Sequence, residues 1–205
     1  MLIRPREQLS IRYSIDTSNM KRLNLILLMF LCLSAGAVNA QSWSISTNVI
    51  DYACLGTMNV ESSYAVSQHW SISASAKYNP FTFHKGERGK QFQYRQQSYA
   101  VGTRFWPWHT FSGWWLSGKV RYQEYNWGGI ISPETEEGDK VGLGLAAGYT
   151  YMISKHFNVE LGLGAWGGRA WYKKYACPKC GLTIEDGKKW FLFPDDFIIS
   201  FAYVF

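Results

Sequence analysis

Apolar side chains recur at every second position through most of residues 41–205, and the spacing of an amphipathic helix is missing. Phe157, Val159, Leu161, Leu163 and Ala165 alternate with Asn158, Glu160, Gly162 and Gly164. Val141, Leu143, Leu145, Ala147, Tyr149 and Tyr151 alternate with Gly142, Gly144, Ala146, Gly148 and Thr150, and Phe197 to Phe205 form a third such series. Each segment has one greasy face and one small or polar face, as a strand requires. The alternation predicts eight strands, near 43–52, 57–67, 70–79, 94–106, 113–126, 139–153, 156–172 and 193–205. The connections at 67–69, 107–112 and 154–155 are short. Those at 79–94, 126–139 and 172–192 are long, polar and contain Gly or Pro, and only 52–57 is brief on that side.

Short turns on one side and long loops on the other are the plan of an all-β fold, an eight-stranded antiparallel up-and-down transmembrane β-barrel. Closure pairs every strand edge, which hydrocarbon demands. A lipocalin-like barrel or a sandwich also alternates, but it hides its apolar face and shows charge outside. Here the small and polar face carries Glu61, Lys77, Arg104, Lys119, Arg121 and Glu160, which would make a poor soluble core but can pair inside a barrel. Trp43, Trp70, Tyr78, Trp106, Trp114, Tyr122, Tyr151 and Trp171 fall at strand ends, where interfacial girdles sit. Phe201, Tyr203 and Phe205 form the kind of last strand that barrel-assembly machinery reads.

The first forty residues read differently. Lys21 and Arg22 precede an apolar run from Leu23 to Leu33, and small residues lead to Ala40, the pattern of a secretory signal peptide. Cleavage is expected after Ala40, with Met20 a better start than Met1, so residues 1–40 form a leader and 41–205 one domain. The run is too short to span roughly 30 Å of hydrocarbon. Leu31 before Cys32 argues against a lipoprotein. Losing the leader removes Arg4, Arg6, Arg12, Lys21, Arg22, Glu7 and Asp16, which lowers the net charge from +6 to +3. A uniformly basic surface for nucleic acid is thereby unsupported. Aromatics at 17% with charged residues at 18% exclude a disordered chain.

Several motifs occur together in order. They are Thr47 to Tyr52 with Asn59-Val60-Glu61, Arg104-Phe105-Trp106-Pro107 with Phe111-Ser112-Gly113, and Tyr125 to Gly129. Gly142 to Tyr149 and Lys173 to Gly181 follow. Over residues 44–205 the chain resembles a Bacteroidetes outer-membrane family, domain of unknown function 3575, departing from it at Trp114-Trp115, where a His-aromatic pair is expected. The resemblance implies an envelope protein often encoded near fimbrial genes, with no established chemistry.

Candidate chemistry is sparse. Gly162-Leu163-Gly164-Ala165-Trp166-Gly167 matches a dinucleotide fingerprint on paper, but lies inside a period-two strand with no helix after it, so its glycines are expected to make room inside a narrow barrel. Cys177 and Cys180 flank Pro178-Lys179, with Cys54 on the same side. They read as a disulfide, as a metal site completed by His84, or as free thiols, and three cysteines leave at least one without an intramolecular partner. The interior charges read as a cation-lined pore or proton path, or as a network filling a lumen just wide enough for side chains. The basic stretches 85–95 and 173–189 and the acidic stretch 134–140 are expected to form a solvated rim, or to touch lipopolysaccharide phosphates or an acidic protein. No catalytic set or cofactor motif emerges. Expected partners are outer-membrane lipid and lipopolysaccharide, the assembly machinery, and fimbrial or other surface proteins. A lipid A- or peptide-modifying enzyme and a purely structural barrel are the competing readings.

Overall fold

The computed structural model describes residues 41–83, 92–129, 134–176 and 182–205, and of Asp195 and Asp196 the backbone alone. The described chain is nearly all β. In order it forms β1 (Trp43–Asn48), α1 (Val49–Ala53), β2 (Met58–Ser67), β3 (Trp70–Asn79), β4 (Thr82–Phe83) and β5 (Phe92–Phe105). Then follow β6 (Gly113–Gly128), β7 (Thr135–Met152), β8 (Phe157–Tyr175) and β9 (Thr183–Val204). No described helix is long and apolar enough to cross a membrane.

Every pairing is antiparallel, and among the eight longer strands each neighbours the next in sequence. Because β3 pairs with β5 and β9 returns to β1, the eight longer strands close into a ring. The two-residue β4 lies along the upper edge of β5, with Thr82 opposite Gln93. Alternation decides which side chains enter. On β7, Lys140, Gly142, Gly144, Ala146, Gly148 and Thr150 are buried while Val141, Leu143, Leu145 and Tyr149 are exposed on the outside. The inside is narrow enough that glycine is required at particular places: a Cβ on Gly162 would lie 2.9 Å from the Trp115 ring.

Besides β4 and the first residues of β5, which fall inside the 79–94 stretch expected as loop, the structure departs from the sequence expectation in three places. First, β1 stops at Asn48 rather than continuing to residue 52. The Asn48 side chain accepts from Ile50 N and starts the single turn of α1. Second, most of 126–139 and 172–192 is strand, not loop. The charges that suggested loops are cross-strand complements, with Glu136 opposite Lys174, Glu137 opposite Lys173, and those lysines opposite Glu185 and Asp186. Near Pro194 the register of β9 slips by one residue, where Gly164 and Trp166 face Asp196 and Phe193. A bulge tolerates the missing proline N–H and reverses which parity faces inward. Third, Trp106 is not at an outer girdle; it is 0% exposed and points into the ring.

Candidate functional site

The polar side chains that carry any chemistry lie in layers down the inside of the ring and along its taller rim. One end is closed by the 106–112 connection, which folds inward. Trp106 and Phe111 pack with Trp115, Ala146 and Val204, and Trp106 Nε1 donates to Ser71 Oγ at 3.0 Å. Phe111 sits at φ 65° and its carbonyl accepts from Asn158 Nδ2, which holds the inturned loop. His69, His109 and His156 all lie at this end, and His69 and His156 each place Nδ1 2.9 Å from a backbone carbonyl.

Above the plug, Arg104 bonds both Glu61 and Glu160, and its guanidinium stacks 4.7 Å from the Trp115 ring centre. Glu160 also accepts from Thr150 Oγ1. Three of the six charges selected by alternation thus meet in one cluster. Lys77 instead pairs with Asp51 of α1 at 2.9 Å, so the single helical turn caps the shorter side of the ring. Arg121 lies 4.9 Å over Trp166, which packs with Ala170 and Phe191, and Lys119 borders the small cavities between these layers. Those cavities measure about 10 and 40 Å³, room for about one water each.

Lys140, expected on a solvated acidic loop, is 2% exposed. Its ammonium lies 4.1 Å from the ring centres of both Tyr125 and Trp127, with Phe193 at 5.2 Å. The signal was its parity: Lys140 continues the inward series of Gly142 to Thr150.

Strands β5 to β9 run past the ends of β1 to β3 and form a taller wall. Tyr125 Oη and Lys189 Nζ each donate to Glu136 Oε1 at 2.6 Å, and Lys189 also lies 4.3 Å from the Tyr172 ring centre. Burial alone would raise the Glu136 carboxyl, but the Lys189 ammonium and Tyr125 hydroxyl hold it below its ordinary value of 4.5. Burial and the bond to Glu136 push the Tyr125 phenol well above 10.0. Tyr172 Oη donates to Glu185, and Lys174 pairs with that carboxylate at 3.4 Å. On the outer side, Tyr122 Oη lies 2.8 Å from Glu124 Oε1 and 2.9 Å from Asp139 Oδ1, so its single proton is shared between the two carboxylates. A cavity of about 780 Å³ opens at this end, bordered by Gln96, Tyr125, Gly138, Tyr172 and Gly187.

Cys54 is exposed in the α1–β2 connection and carries no disulfide. Cys177, Cys180 and His84 lie outside the described residues. Among the described residues, no three His, Cys, Asp or Glu side chains gather as metal ligands would. Phe201, Tyr203 and Phe205 all face outward. The Gly162–Gly167 stretch is continuous β8 strand, with no helix to hold a phosphate.

Fold and site together define an all-β protein closed on itself, with buried ion pairs inside, large apolar side chains outside and a charged rim. The chain belongs to the family described as protein of unknown function (DUF3575), whose family model matches residues 25–205. No curated protein and no solved structure matches it.

Proposed function

We propose that this chain is an eight-stranded outer-membrane β-barrel that acts as a docking or structural component of the bacterial envelope, linked to fimbrial or other surface assembly. One observation carries the reading: the outward residues of neighbouring strands align into apolar rows, while the inward face holds the buried charges, the small and polar residues and the aromatics Trp115, Trp166 and Phe191 that pack among them. In one row Val101 pairs with Val120 and Val120 with Leu143, then Gly167 and Leu192 follow. Another runs Phe105, Leu116, Ala147, Leu163 and Phe197. Trp70, Trp114, Tyr149, Phe157 and Tyr203 border these rows at one end, and Tyr78, Tyr99, Tyr122 and Trp190 at the other, all exposed. A soluble protein rarely leaves so much contiguous apolar surface in water, whereas a bilayer solvates it. Beyond the row of Tyr99, Tyr122, Val141, Arg169 and Trp190 the outside turns mostly polar, with Gln97, Glu124, Asp139 and Lys188 in one row with Trp171.

The interior below the rim cavity is filled by the Trp106 plug and the Arg104 and Arg121 layers, which favours docking or bracing over transport, and the charged rim is the surface a partner meets. Residues 1–40 supply the export signal under this reading. The test is a deletion strain with the protein followed by fractionation. The expected result is recovery in the outer-membrane fraction, loss or shortening of surface fimbriae on deletion, and unchanged lipid A mass spectra. A lipid A mass shift on deletion would replace docking with lipid-modifying enzymology.

A further inference from the structure

The two sides of β9 are unequally used. One edge pairs with β8 from Thr183 to Tyr203, whereas the other meets β1 only between Ser200 and Val204. The Asn48 side chain extends that contact by bonding Phe197 O and Ile199 N. From Thr183 to Phe193 no described residue pairs with this edge. The opposite end of the tall wall is different, because β4 covers the upper edge of β5. An unpaired run of backbone donors and acceptors is a template for another strand.

We propose that the edge of β9 above the apolar rows, Thr183–Lys189, which no described residue pairs, takes up one antiparallel β-strand from a surface partner protein. That strand places an acidic residue opposite Lys188 and a basic residue opposite Asp186. The proposal deepens the docking reading and rests on it. Strand addition satisfies the backbone, and alternate side chains set its specificity. Glu185 and Lys189 face inward and are engaged by Lys174 and Glu136. Asp186 and Lys188 face outward and are exposed, and no described ion pair uses either, so they discriminate between partners. A second copy in the same membrane does not fit this edge. The two-fold axis that sets two β9 strands antiparallel would turn one barrel over.

The segment supplies its own probe. Ile184-Glu185-Asp186-Gly187-Lys188-Lys189-Trp190 is antisymmetric in charge about Gly187, so a peptide of residues 182–192 laid antiparallel meets opposite charge at every charged position. Anisotropy of this labelled peptide is measured against the full chain in detergent, where binding is scored independently of cellular location. Saturable binding is expected, weakened at least tenfold by Asp186→Lys in the protein and restored when the peptide carries Lys188→Asp. Absence of saturable binding, or binding indifferent to these reversals, overturns the proposal while leaving the membrane reading standing.

Discussion

Arg104 donates to Glu160 at 2.9 Å inside the ring, with both side chains almost wholly out of water. Glu61 completes the cluster on the other side of the guanidinium. Removing one member of a buried pair strands the other charges and typically costs about 3–5 kcal/mol, while replacing the whole set is often near neutral. Arg104→Met alone is expected to lower stability by about that much. The triple change Arg104→Met, Glu61→Gln, Glu160→Gln is expected to recover most of the loss. Urea unfolding in micelles, followed by tryptophan fluorescence, measures both.

Gly162 and Trp115 share one volume. A Cβ at residue 162 would sit 2.9 Å from the indole and 3.0 Å from the Ala147 carbonyl. Gly162→Ala is therefore expected to destabilise by about 1–3 kcal/mol through overpacking. Part of that cost should vanish with Trp115→Phe, whose ring is smaller. Additive effects of the two changes in the same unfolding assay would place the strain elsewhere.

The rim contact of Glu136 with Lys189 and Tyr125 should depend on pH. A carboxyl held below its ordinary value stabilises the folded rim above that value and loses the contribution as pH falls through the folded one. The phenol of Tyr125, held above 10.0, contributes below that pH and loses its contribution as pH rises through the raised value. Hydrogen-exchange protection at the 125–127 and 136–140 amides, taken relative to the intrinsic rate at each pH, is expected to be high between about pH 4.5 and 10 and to fall as pH drops below that window. Glu136→Gln should abolish the acid limb.

Cys54 is exposed and should react at once with a polar maleimide in the native, unreduced chain. With Cys177 and Cys180 joined, one thiol is counted before reduction and three after it in the chain starting at Gln41. Three reactive thiols before reduction would remove the disulfide, and bound zinc lost with the thiols' alkylation would indicate a metal site.

Much of this architecture is written in period-two patterning, but charge and aromatics are ambiguous cues. Val141 to Tyr151 and Phe157 to Ala165 show their faces directly, because one parity is apolar and the other is Gly, Ala or polar. Residues 135–140, 173–175 and 183–189 read as loops in the sequence because their charges are complementary only across strands, a relation visible once the register is known. Trp106 shares the inward parity of Arg104, yet an aromatic at a strand end satisfies a girdle equally well until the connection is seen folding inward. Asp51, the partner of Lys77, was hidden in what read as strand, because the Asn48 cap turns the chain before it.

The central claim is that the outward apolar rows face hydrocarbon. Leu145 is 68% exposed at the middle of β7, so a nitroxide attached at Leu145→Cys in lipid vesicles, with the native cysteines replaced, samples whatever solvates that face. The account predicts collisions with oxygen and protection from a water-soluble nickel relaxant. Free access of the nickel relaxant at residue 145 in the refolded, vesicle-bound protein would contradict it.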